Sequence, residues 1–236
     1  ADQSGTRPQI AAVVDYSNGA DVLVGEARIA GPAGLRERRV AIEPGTLHIQ
    51  LLALALASAK LSIRDVILVP MPQNAMPNAF AEGLVSAAVC FPPESNRILE
   101  AGGKVLFHSG QVPGQVIDTL VFDGAFVSRR GADVPVFVAA YYKAVALMAS
   151  QPDEAHAIMA RRENMSVAEL RQTMAGMHFV SRTEQPALLA PGGPVERSLN
   201  ELQGAMMALA QLRQAHDLKD FLIAREFLAA DFGVLA

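Results

Sequence analysis

The run Glu43-Pro44-Gly45-Thr46-Leu47-His48 carries the strongest chemical signal in the chain. A short apolar strand, Arg39 to Ile42, enters it, and the largely apolar stretch Leu47 to Ala59 leaves it. A strand, a Pro-Gly turn and a helix start, in that order, leave the first N–H groups of the helix without intrahelical acceptors. Those groups and the positive end of the helix dipole attract an anion, by roughly 0.3–1 kcal/mol and up to about 2 when partly buried. On this reading Gly45 makes the turn, while the Thr46 hydroxyl and the amides of residues 46–48 hold a sulfonate, phosphate or carboxylate. His48 then adds a charge or a donor near neutral pH. The plainer reading has Gly45 only turning, Thr46 only capping and His48 lying on the helix surface. Both readings stay open at this point.

Other polar residues stand where strands end. Ser17-Asn18-Gly19 follows the β-rich run Gln9 to Val14 and reads either as a ligand-bonding rim or as a turn satisfied by its own side chains. Asp21 lies in the short strand Ala20 to Gly25; if buried, its carboxylate needs a partner, from the protein or from an amine on a ligand. Phe91-Pro92-Pro93-Glu94 closes the apolar strand Val85 to Phe91, and strand ends at the carboxyl edge of an open sheet are where ligands sit. Phe91 either stacks on a flat group or fills core. Asp118, in the strand Gln115 to Phe122, either reaches a ligand or makes a local hydrogen bond.

Several chemistries find no support. The five histidines are scattered without His-x-x-x-His spacing, and the single cysteine forms no Cys-x-x-Cys, so no metal site is expected. Neither a Gly-x-Gly-x-x-Gly nor a Walker-type loop occurs, so no nucleotide or other cofactor is expected. Gly-x-Ser-x-Gly is absent as well. Cys90 sits in the apolar run Ala87 to Phe91, which marks a buried, inert thiol rather than a nucleophile. The methionines of the later segments read as core filler.

The elements that position these residues follow from punctuation and period. Strands are expected at Gln9–Val14, Ala20–Gly25, Arg39–Ile42, Asp65–Pro70, Val85–Phe91, Lys104–Phe107 and Gln115–Phe122. Helices are expected from Thr46 to Lys60, from Asn74 to Glu82 with Gly83 ending it, and from Pro93 to Ala101 before Gly102-Gly103. Strands alternating with helices at this pace predict a mostly parallel sheet covered on both faces. Beyond Asp133 the chain turns helical, at Asp133–Ser150, Pro152–Arg162, Val167–Met177, Val195–Ala215 and Leu218–Ala230. Ser166 and Glu169 form a capping box.

Of 236 residues, 51% are hydrophobic and 19% charged, a core-rich globular composition. The net charge is -4 and no basic stripe is visible, so no nucleic-acid partner is expected. The run Leu51 to Ala59 is too short to cross a bilayer, and residues 1–9 lack the apolar core of a secretory leader.

The order of these phrases resembles a known family. Ser17-Asn18-Gly19-Ala20-Asp21 follows a strand; Val40 to Thr46, Val66 to Pro70 and the amphipathic Ala75 to Ala87 come next; then Pro92-Pro93-Glu94, Gly102-Gly103-Lys104-Val105-Leu106, and Val112-Pro113-Gly114 with Asp118. From about Gln9 onward the chain resembles the periplasmic substrate-binding proteins of ABC importers for sulfonates, nitrate and taurine, and the related binding proteins for thiamine-pyrimidine precursors. The resemblance implies a type 2 periplasmic-binding-protein-like α/β fold, with two α/β lobes joined by hinge strands and a ligand in the cleft between them. It implies residues 1–14 as a hinge strand and remnant of lobe one, 15–114 as lobe two, and 115–236 as the second hinge strand and the helical part of lobe one. Where many relatives have Trp followed by Glu, this chain has Phe91 and Pro92.

The same resemblance implies a binding protein rather than an enzyme, located in the periplasm or lipid-anchored outside the cytoplasmic membrane. It would capture a small anionic organic molecule and hand it to an ABC permease. Ser17, Asn18, Gly45, Thr46, His48, Phe91, Glu94 and Asp118 are the expected ligand-binding residues. The family's opening strand–helix–strand–helix block has no counterpart before Gln9, so lobe one is expected to lack its N-terminal part, with dimerisation of the shortened chain a consequence. Two other functions stay open: an enzyme of similar fold acting on a small carboxylate or pyrimidine precursor, and a sensory ligand-binding domain of a larger protein.

Overall fold

Alternate residues of the strand Arg39–Ile42 face two different apolar clusters, and this duality organises half the molecule. In the computed structural model, which describes residues 7–209, 212–217 and 221, the chain divides into two compact units. One comprises residues 17–116 and 200–215; the other comprises 1–16, 117–199 and 216–236.

The first of these is built on a five-stranded sheet. Its strands are β2 (Val22–Glu26), β3 (Arg39–Ile42), β4 (Ile67–Pro70), β5 (Ala87–Cys90) and β6 (Gly103–His108), in the order β4-β3-β5-β2-β6. Helices α1 (His48–Ser58), α2 (Met76–Ala81) and α3 (Glu94–Glu100) accompany it. Val40 and Ile42 point to the α1 side with Leu23, Leu51, Leu52, Leu56 and Val89, while Ala41 points to the other with Val24, Met76, Ala88, Cys90 and Ile98. Side chains alternate along a strand, so a strand apolar at every position is buried on both faces. The expected double covering is what forms.

The sheet is not mostly parallel. β3 runs parallel to β4 and β5, but β2 is inserted antiparallel to both β5 and β6. A strand buried on both faces reads the same in either direction, so its sequence leaves the orientation open. Gly25 of β2 lets the neighbours close in: a Cβ there would lie 2.6 Å from Leu106 Cδ1.

The other unit holds the strands β1 (Pro8–Ser17, whose last residue belongs to the first unit), β7 (Ile117–Asp123) and β8 (Met177–Phe179), in the order β7-β1-β8. β1 and β7 are antiparallel, with Asp15 opposite Asp118 and Tyr16 opposite Ile117. β1 therefore runs on through Asp15, Tyr16 and Ser17, past Val14, the strand's expected end. Its helices are α4 (Gly124–Arg130), α5 (Asp133–Ser150), α6 (Pro152–Glu163), α7 (Val167–Met174) and α8 (Gln185–Leu188), followed by α9 (Pro194–Ala208), whose residues from Asn200 belong to the first unit. The capping box before α7 is present: Ser166 Oγ accepts the Glu169 amide and Glu169 Oε2 accepts the Ser166 amide.

Two helical expectations shorten. α7 ends at Met174, and Met177, expected as its last residue, opens β8 instead. α9 ends at Ala208 rather than Ala215. The helix expected over Leu218–Ala230 lies outside the described residues, Phe221 apart.

Candidate functional site

Parallel strands β3, β4 and β5 deliver their carboxyl ends to one edge of the five-stranded sheet. The antiparallel β2 starts at that same edge, since Val22 pairs with Cys90 and with His108. Five segments therefore converge there: residues 43–48 after β3, Gln73 after β4, residues 91–94 after β5, residues 17–21 before β2, and Ser109 after β6. Seven of the eight expected site residues belong to this edge. Asp118 does not: it lies in the other unit, exposed on β7 opposite Asp15.

At the turn, Gly45 has φ +76°, a left-handed conformation that favours glycine, and nothing lies within 4 Å of the position of a Cβ. The Thr46 hydroxyl is engaged on both sides. It donates to Glu43 O (2.8 Å) and accepts from the His48 amide (3.3 Å). Leu47, not Thr46, holds the N-cap position. An anion at this turn thus meets a hydroxyl whose proton is already committed to a carbonyl.

His48 is buried, 1% exposed, rather than on the helix surface. Its Nδ1 accepts the Glu43 amide at 3.1 Å, which leaves the ring proton on Nε2. Burial pushes its pKa down, against an opposing pull from the Glu43 charge and the Gln73 carboxamide. His48 is accordingly a neutral donor, not the cation allowed for from sequence. Its Nε2 is buried with no hydrogen bond closed to it. Phe91, 41% exposed, meets the His48 ring edge-on at 6.1 Å between centroids.

Gln73 ties two loops together. Its Oε1 accepts the Phe91 amide (3.3 Å) and its Nε2 donates to Glu94 Oε2 (2.9 Å), with both side chains buried. Arg97 stands 3.8 Å from the other Glu94 oxygen. Cys90, under this loop, is a buried thiol pushed up to about 12 by burial and by the charges of Glu94 and Asp21, which leaves it inert, as its apolar setting predicts.

Ser17 and Ser109 lock the last corner. Their hydroxyls share a 2.6 Å hydrogen bond; Ser109 Oγ also accepts the Gly19 amide, and Ser17 Oγ accepts the Asp21 amide. The Ser109 amide returns to Asp21 O at 2.9 Å. Asn18 tops this turn, exposed, with its Oδ1 over Gly110. Gln73 and Ser109 escaped the sequence analysis. The one available signal for Gln73 was its place just past the end of a strand.

Comparisons with known proteins follow the same architecture. The NMT1-like family profile matches residues 4–163. None of the curated proteins matches the chain. Among solved structures, the periplasmic aliphatic sulphonate binding protein SsuA from Escherichia coli superposes with a TM-score of 0.74 at 17% identity, covering 93% of this chain and 70% of that one. The periplasmic nitrate-binding protein NrtA from Synechocystis gives 0.67 at 11% identity, covering 96% and 68%. The desulfurization enzyme DSZB gives 0.63 at 15% identity, covering 94% and 78%. At these identities the likeness is one of fold, a periplasmic-binding-protein-like α/β fold shared by binding proteins and by an enzyme.

Proposed function

Because this chain belongs to the NMT1-like family, we propose that it is the solute-binding component of an ABC-type importer. It holds a small organic molecule at the carboxyl edge of the five-stranded sheet and passes it to a membrane permease. It acts outside the cytoplasmic membrane, in the periplasm or on a lipid anchor. The observation that carries this reading is the convergence of five strand-end segments on one edge, fixed by buried hydrogen bonds, with Phe91 part-exposed beside the buried ring of His48. Binding sites in open α/β sheets occupy this position, and the sulphonate- and nitrate-binding proteins that share the fold give the reading its transport context.

Retention rather than turnover is favoured by the chemistry present. Cys90 is buried and inert, and His48 uses Nδ1 to hold the Glu43 amide, so it is not free to accept a proton. The test is the melting temperature of the full chain with a panel of alkylsulfonates, taurine, nitrate and pyrimidines. A bound ligand at about a hundred times its Kd adds about 2.7 kcal/mol of stability. A melting temperature unmoved by every member overturns the proposal.

A further inference from the structure

Helix α5 is apolar on two opposite faces, and one of them is uncovered. Val134 and Val138 are buried against Ala11 of β1, with Leu120 and Tyr142 beside them, and the Tyr141 hydroxyl donates to Val14 O at 2.8 Å. These contacts hold the helix to the three-stranded sheet. The other stripe, Val136, Phe137, Ala140, Ala144 and Leu147, recurs at spacings of three and four, so it forms one continuous face. Val136 is 58% and Phe137 56% exposed, and Ala140 and Ala144 are exposed as well. A helix apolar all round is ordinarily enclosed by protein or lipid. By length and composition α5 is apolar enough to cross a bilayer. With one face committed to the sheet, it can lie on a membrane but not span one.

Aromatic rings extend this face and cations border it. Phe137 meets Phe122 edge-on at 5.6 Å, Phe122 stacks on Phe126 at 5.7 Å, and the Arg130 guanidinium lies 5.9 Å over the Phe126 ring. The nearby acids are already engaged. Asp133 pairs with Arg130, and Asp123 accepts the Ala125 and Phe126 amides at the start of α4. Asp118 lies four residues back along β7 from Phe122, about 13 Å away at 3.3 Å per residue. On α4 and α5 this leaves Arg129 and Lys143 exposed and without an ion pair among the described residues. The whole chain carries a net charge of -4, so the positive character belongs to this face alone.

The charges decide what covers the stripe. A second copy of the chain would meet it across a two-fold axis. Antiparallel helices crossing at Ala140 carry Lys143 of one copy toward the Arg129 end of the other, and parallel helices set Lys143 against Lys143. Either alignment brings like charges together. An anionic surface meets both unpaired cations favourably. We propose that this face docks on an anionic phospholipid surface. Val136, Phe137 and Leu147 enter the boundary between headgroups and acyl chains, and Arg129 and Lys143 meet lipid phosphates. Docking of this kind keeps the protein at the bilayer without a spanning helix, and it stands apart from the solute-binding reading.

Co-sedimentation of the full chain with lipid vesicles tests the inference. Vesicles of phosphatidylglycerol and phosphatidylcholine in equal parts are expected to bind at least about tenfold more tightly than phosphatidylcholine alone at low salt, as two unpaired surface cations predict. Raised salt is expected to shrink that preference. Phe137→Asp is expected to abolish binding to both vesicle types, and Lys143→Gln to lower the phosphatidylglycerol preference about fivefold. Melting curves check that each variant is folded, and Ala140→Asp provides the same readout if Phe137→Asp is not. Equal binding to the two vesicle types, binding to neither, or binding that survives these substitutions overturns the inference. So does light scattering that shows a dimer dispersed by Phe137→Asp, which gives the face to a second copy. Each of these outcomes leaves the solute-binding reading to its own ligand panel.

Discussion

The Glu43 amide donates to Nδ1 of His48 across 3.1 Å, so a loop residue fixes the tautomer of a helical one. Removing the ring leaves a part-buried amide without its acceptor, whereas a shorter amide side chain can replace it. His48→Phe is expected to lose about 1–3 kcal/mol in urea denaturation. His48→Asn places Oδ1 where Nδ1 was, keeps most of the stability, and weakens solute binding because nothing remains at the Nε2 position. Equal losses of stability in the two variants would remove this role.

The same histidine sets a pH dependence. Its folded pKa lies below the ordinary value of 6.5, because burial disfavours the imidazolium. Between those two values the unfolded chain binds the proton and the folded chain does not. Stability is therefore complete above about pH 6.5 and is lost as pH falls below it. Melting curves from pH 8 to 5, about one His titration either side, are expected to show that decline in the native chain and a smaller one in His48→Asn.

Ser109 is wholly buried and serves Ser17 and Gly19 at once. Ser109→Ala strands both partners, and a loss of about 1–3 kcal/mol is expected. Ser17→Ala strands the Asp21 amide. Because the two hydroxyls share one bond, the double variant should lose less than the sum, with a coupling of about 0.5–3 kcal/mol in a double-mutant cycle. Strict additivity would contradict the bond.

Phe91 offers the opposite case. With much of its ring in water, Phe91→Ala is expected to change stability by about 0.5 kcal/mol or less. Affinity for flat guests should fall by about 0.5–1.5 kcal/mol through lost stacking. Calorimetry and thermal melts on one preparation separate the two effects.

In the other unit, Gln185 is completely buried and bonds both backbone groups of Val13, accepting its N–H at 2.9 Å and donating to its C=O at 2.7 Å. These groups lie where β1 bulges away from β7, between Val13 and Asp15. Gln185→Leu keeps volume but leaves both without partners, so a loss of about 2–6 kcal/mol is expected, twice the cost of one orphaned group. Denaturation with both units reporting would show whether this unit melts first.

Much of this architecture can be read from residue order. The strand and helix alternation follows from apolar period and from glycines at positive φ, as at Gly83 and Gly102. The Ser166–Glu169 box follows from two residues three apart. What escaped depends on partners distant in sequence. Gln73 acquires meaning only beside Phe91 and Glu94, and Ser109 only beside Ser17. His48 looks like a surface residue until Phe91 and Gln73 close over it. β8, at three residues, is too short to announce itself after α7.

The placement of β2 bears on how the chain assembles. It is the earliest strand of its sheet to be synthesised, yet both flanking strands, β5 and β6, come after residue 86. A segment that opens Val-Leu-Val must therefore wait with both hydrogen-bonding edges open until its neighbours emerge, and such long-range pairing is slow and exposed to aggregation. An interior strand of the sheet is thus its oldest piece and among the last to be secured.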